Sequence, residues 1–93
     1  MLKENSVATE QLLKRTFADA LYEKRIELNL SQQKMAERCF LSIRQYSDLE
    51  NGLRLPSFES LVNISLQSGL NLNKVIDDLV KNGYVGNDNK NSA

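Results

Sequence analysis

The chain has 93 residues, 41% of them hydrophobic and 26% charged, with 12 basic residues balanced by 12 acidic ones. That length suits one compact domain with a modest core, which often needs an oligomer or a staple to hold it; Cys39 is the only cysteine, so no disulfide forms within the chain, which fits a reducing cytoplasm. Histidine is absent, there is no glycine-rich phosphate loop, no apolar run approaches the roughly 18 residues of a membrane span, and MLKENSVATE lacks an apolar signal core; the expectation is a soluble cytoplasmic protein that is not an enzyme and holds no metal or cofactor.

The predicted elements are helices separated by short joints, because no period-2 alternation lasts and the residues between joints favour helix. Residues 1–8 carry too little apolar content to order themselves and are expected to be a mobile tail. Helix 1 is expected near residues 9–28, with Leu13, Phe17, Leu21 and Leu28 on one face and Asn29 able to close its last turn. Helix 2 follows over about 32–39, capped by Ser31, and helix 3 over about 43–50, capped by Ser42 and ended by Asn51-Gly52. Pro56 and the cap Ser57 precede helix 4 at about 58–68, and Gly69 follows it. Helix 5 is expected over about 72–81 after Asn71, and the chain then runs into a second mobile tail, 83–93, which bounds one domain over 9–82. The adjacent carboxylates Asp77 and Asp78 point about 100° apart on a helix and read as a solvated face.

The joint between helices 2 and 3, Phe40 to Ser42, is so short that the two helices must cross, which is helix-turn-helix geometry. Ala36 supplies the small residue that a close crossing needs, and Tyr46 and Leu49 supply the apolar underside of helix 3. Residues 21–81 resemble the phage repressor and Cro-like (XRE-type) helix-turn-helix family, through LSQ at the start of helix 2, Ala36, the ENG that closes helix 3, the arginine and proline of NGLRLPS, and the joint SGLNLN. The resemblance implies an all-α, five-helix, lambda-repressor-like domain that binds double-stranded DNA through helix 3 in the major groove, usually as a homodimer on a two-fold site.

The resemblance also implies that Arg25 pairs with Glu50. The helical wheel agrees, since Arg25 falls between Leu21 and Leu28, and Glu50 falls beside Tyr46 and Leu49, so both charges border apolar faces and need partners. On the outward side of helix 3, Arg44 is expected to donate to guanine, Gln45 to reach a base edge or a phosphate, Ile43 to touch a thymine methyl and Asp48 to accept from cytosine. Ser31, Gln32, Lys34, Ser42, Ser47 and Arg54 are the expected phosphate contacts, the first two by matching positions in the family. The competing assignment pairs Arg44 with Asp48, four residues apart, on a solvated face, an interaction of about 0.3 kcal/mol that reads nothing.

Three features depart from the family pattern. Phe40 stands where the turn usually has glycine, and a bulky residue with positive φ is strained, which leaves the turn conformation and the aim of helix 3 open. Tyr46 replaces a smaller aliphatic residue, so its ring is expected in the core with its hydroxyl seeking a partner. Zero net charge weakens nonspecific attraction to DNA; residues 31–56 carry an excess of only one positive charge, so binding must rest on arrangement.

Cys39 is expected to pack between helices 2 and 3. Leu72, Val75, Ile76, Leu79 and Val80 of helix 5, with Tyr84 beyond it, have more apolar surface than one small core needs; they either complete the core or form a two-fold dimer seam, and the seam is the favoured expectation. The expected function is that of a sequence-specific transcriptional regulator, a repressor acting by occupancy. The alternative is a protein-interaction module on the same scaffold, an antitoxin or antirepressor partner.

Overall fold

The computed structural model describes residues 2–86, with side chains from residue 7 onward. It contains five helices in the order α1 (Leu2–Glu27), α2 (Gln32–Arg38), α3 (Ile43–Glu50), α4 (Phe58–Ser68) and α5 (Leu72–Lys81), and no strand among the described residues. The last four match the expected segments to within a residue. The first begins about two turns before the expected start and takes in most of the segment assigned to an N-terminal tail. Lengthening a helix that is already anchored costs little, because each added residue brings one hydrogen bond. Of the C-terminal segment, Gly83–Gly86 is not helical and residues 87–93 lie outside the described residues.

Each of the helices α2 to α5 begins on a side chain that satisfies one of its free N–H groups. Ser31 accepts from the Lys34 N–H, Ser42 from Gln45, Ser57 from Ser60, and Asn71 from both Asn73 and Lys74. Four helices end in one motif, a left-handed residue whose own N–H bonds back three residues while the next N–H bonds back five. Asn29 closes α1 in this way, with Asn29 N–H to Ile26 at 2.9 Å and Leu30 N–H to Arg25 at 3.2 Å. Gly52 and Gly83 do the same for α3 and α5.

Phe40 does it for α2. Its φ is 61°, Phe40 N–H reaches the Glu37 carbonyl at 3.2 Å, and Leu41 N–H reaches Ala36 at 2.9 Å. The helix-turn-helix joint therefore keeps the left-handed conformation that glycine would favour, although a Cβ at this φ costs about 1–2 kcal/mol. The two carbonyls that it satisfies at the end of α2 offset part of that cost.

The core gathers one face from every helix: Phe17 and Leu21 of α1, Met35, Ala36 and Cys39 of α2, Tyr46 and Leu49 of α3, Ile64 of α4 and Val75 of α5. Leu21, Met35, Cys39, Tyr46 and Ile64 are fully buried, and each large aliphatic among them contributes about 1.5–3 kcal/mol of transfer free energy. Ala36 is also buried, which lets α2 and α3 approach closely. α3 packs against both α1 and α2, while α5 packs against α1.

That last packing corrects two members of the seam expected on α5. Val75 and Leu79 are buried in the chain's own core, so neither is available to a second molecule. Ile76 and Val80 are exposed, and Leu72 and Tyr84 are half-buried. No helix among the described residues is long and apolar enough to cross a membrane.

Candidate nucleic-acid interface

The inner side of α3 ends in a polar cluster. Glu50 has a side chain only 5% exposed, and its carboxylate accepts four hydrogen bonds from three helices. Arg25 of α1 donates through Nε to Oε2 at 2.8 Å and through Nη2 to Oε1 at 3.0 Å, the two-pronged geometry that suits guanidinium and carboxylate. Gln32 of α2 donates from Nε2 to Oε1 at 2.6 Å, and the Tyr46 hydroxyl donates to Oε2 at 2.7 Å. Arg25 also donates from Nη1 to the Leu30 carbonyl at 3.0 Å and lies over the Tyr22 ring, 5.4 Å from its centre.

Burial by itself would push the Glu50 carboxyl up, but the hydrogen bonds from Arg25, Tyr46 and Gln32 outweigh it and hold the group below the usual carboxylate range. The Glu50 hydrogen bond raises the Arg25 guanidinium further, and burial followed by the bond to Glu50 raises the Tyr46 phenol. The Arg25–Glu50 pair is therefore ionised at neutral pH while the Tyr46 phenol keeps its proton, and the cluster fixes the start of α2 and the end of α3 to α1. Cys39 lies buried in the adjoining core, where desolvation raises its thiol.

The outer side of α3 is open. Ile43, Arg44 and Gln45 are exposed, and among the described residues no carboxylate lies within ion-pairing distance of Arg44. The pairing weighed between Arg44 and Asp48 is not formed. Asp48 instead meets Arg54 of the following loop, with Nη2 to Oδ2 at 3.3 Å. Gln45 completes a capping box with Ser42: its N–H donates to Ser42 Oγ at 3.0 Å and its Oε1 accepts from the Ser42 N–H at 2.9 Å. That leaves the Gln45 amide group as a donor facing outward.

The residues expected at phosphates divide in the same way. Ser31 and Ser42 are exposed caps whose hydroxyl oxygens accept from backbone, so their hydroxyl hydrogens are still free to donate. Lys34 is exposed and stands 3.8 Å from Glu37. Ser47 accepts from Asn51 at 3.3 Å. Gln32 departs from its expected role, because its amide is turned inward to Glu50 rather than outward. Beside α3, a cleft of about 250 Å³ opens between Gln45, Leu49, Arg54, Pro56, Ser57 and Ser60.

Two members of this arrangement have Glu50 as a partner that the sequence does not signal. Gln32 and the Tyr46 hydroxyl join the Arg25–Glu50 pair only because three helices converge, and no spacing announces that. The Ser42–Gln45 box was visible as S-x-x-Q before an apolar position.

Comparison with curated proteins and with solved structures finds no match. A family model described as helix-turn-helix matches residues 21–72, more than half of the chain, and covers the crossing of α2 and α3 together with the Glu50 cluster. The chain belongs to this helix-turn-helix family of XRE-type DNA-binding regulators, and its five helices form the family's all-α, lambda-repressor-like fold.

Proposed function

We propose that the chain is a sequence-specific transcriptional repressor of the cytoplasm that inserts α3 into the major groove of duplex DNA. The observation that carries this reading is the contrast between the two sides of α3. One side is tied through Glu50 to α1 and α2, and the other presents Ile43, Arg44 and Gln45 to solvent with the Arg44 guanidinium unpaired among the described residues. A rigid helix with a free guanidinium is suited to a guanine, whose O6 and N7 accept a bidentate donor.

The outward amide of Gln45 adds a second donor, and Ile43 an apolar contact for a thymine methyl. Ser31, Lys34, Ser42, Ser47 and Arg54 surround this face and supply phosphate contacts, and the cleft lined by Arg54, Ser57 and Ser60 gives the sugar–phosphate backbone a place to sit. Asp48 reaches DNA as an acceptor for cytosine N4 or stays with Arg54. Two copies of the chain on a two-fold site would block polymerase by occupancy.

Selection of bound fragments from a random DNA pool tests the reading. Wild type should enrich one sequence and Arg44→Ala should lose preference at a single base pair in each half-site, at a cost of about 1–3 kcal/mol. Absence of enrichment by wild type, or the same motif from both proteins, rules the assignment out.

A further inference from the structure

The face of α4 that points away from the core is apolar. Phe58 is 80% exposed, Leu66 74% and Val62 38%, while Ile64 on the opposite side is fully buried. The three exposed residues recur every four positions and so form one stripe along the helix. A helix that is apolar on both sides is normally covered on both.

Charge separates this face from the one on α5. The eleven residues of α4 include a single charged side chain, Glu59, whereas the ten of α5 include Lys74, Asp77, Asp78 and Lys81 around Ile76 and Val80. The core of an interface is depleted in charge.

We propose that α4 is the homodimer seam, packing antiparallel on α4 of a second copy about a two-fold axis at Val62. The stripe is its own complement in this register. Val62 faces Val62 of the partner subunit, and Phe58 faces Leu66 of the partner subunit, because 58 and 66 stand equally far from 62. Glu59 lies at the edge of the stripe, and the two Glu59 carboxylates are spaced by roughly 9 Å along the helix axes, so like charges do not meet. None of the base-facing residues of α3 belongs to the stripe. The proposal deepens the DNA-binding reading by naming the partner that a two-fold site requires, and it is measured without DNA so that either can fail alone.

Sedimentation equilibrium of the full chain tests it, with circular dichroism to verify that each variant is folded. Wild type should be a dimer at concentrations on the order of 100 µM. Phe58→Lys and Leu66→Glu should each weaken association by about tenfold or more. Carried together on one chain they should restore it, because the introduced lysine meets the introduced glutamate of the other copy; within one helix the two sites are about 12 Å apart and cannot compensate each other. Ile76→Glu and Arg44→Ala should remain dimeric. A monomeric wild type, loss of the dimer only in Ile76→Glu, or a double variant no better than the single ones would overturn the proposal.

Discussion

Tyr46 donates its hydroxyl hydrogen to the Glu50 carboxylate at 2.7 Å, one turn further along the same helix, and the ring that carries this hydroxyl is fully buried in the core. Apolar packing and ion pairing thus meet in two neighbouring side chains. Tyr46 fills space between α3 and the other helices, and it also supplies the fourth hydrogen bond to a carboxylate that Arg25 and Gln32 have already drawn inward. Tyr46→Phe keeps the packing and removes only the donor, so it should cost about 1.5–3 kcal/mol of stability in urea denaturation. A cost near zero would mean that the hydroxyl does not hold Glu50.

Arg25 carries more. Arg25→Ala leaves Glu50 charged and enclosed, a loss of about 3 kcal/mol, toward the low end for a buried pair because the Arg25 side chain is still 14% exposed. Arg25→Lys keeps the charge but cannot bond both carboxylate oxygens and the Leu30 carbonyl in one plane, so most of that loss should persist. Full stability of the lysine variant would show that charge alone is enough.

The same cluster sets a pH dependence. Glu50 is held below its ordinary pKa in the fold, whereas in the unfolded chain it titrates near about 4.3. As pH falls through that value the unfolded chain takes up a proton that the folded chain refuses, so stability is lost; the contribution is complete above the unfolded pKa and disappears as pH falls through the folded one. Glu50→Gln cannot take part in this titration. Its stability deficit relative to wild type should therefore be largest at neutral pH and shrink in acid, as followed by chemical denaturation at a series of pH values. A deficit constant from pH 7 to pH 3 would contradict the assignment.

Helix order and four of the five helix positions were legible because caps and left-handed closers are local: Ser31, Ser42, Ser57 and Asn71 act on N–H groups two or three residues away. Arg25 and Glu50 were legible because each stands beside an apolar face where an unpaired charge is costly. The inward turn of Gln32 was not, since it depends on the meeting of α1, α2 and α3. Nor was the side of α5 that faces α1: Val75 and Leu79 share the helix with Ile76 and Val80, and one residue of rotation exchanges the two sets. The start of α1 was hidden for a different reason, because helix extension needs no apolar residues once the helix is anchored.

Phe40 offers a test of strain. The ring is 69% exposed, so its removal loses little burial, while φ of 61° is a conformation that glycine adopts freely. Phe40→Gly should relieve about 1–2 kcal/mol of backbone strain, offset by about 0.5–1 kcal/mol of extra entropy in the unfolded chain, for a net gain of about 0.5 kcal/mol. Phe40→Val, branched at Cβ, should be destabilised by about 1 kcal/mol or more. Equal midpoints for all three in urea would show that the turn relaxes to another conformation.

Asp48 and Arg54 make the last prediction one about DNA. The carboxylate of Asp48, on the outer side of α3, occupies the Arg54 guanidinium at 3.3 Å and places a negative charge close to where phosphates would run. The pair is partly open to water, with side-chain exposures of 22% and 60%, so its contribution to stability is no more than about 0.5 kcal/mol. Asp48→Asn should therefore leave the fold intact, release Arg54 for a phosphate and remove a repulsion. Affinity for a mixed-sequence duplex should rise, and the slope of log K against log salt should steepen by about one unit, the mark of one more phosphate neutralised. If Asp48 instead accepts from cytosine, the variant should bind its selected site more weakly than wild type while gaining on mixed DNA. Salt titrations on both duplexes separate these outcomes, and an unchanged slope on mixed DNA would remove Arg54 from the interface.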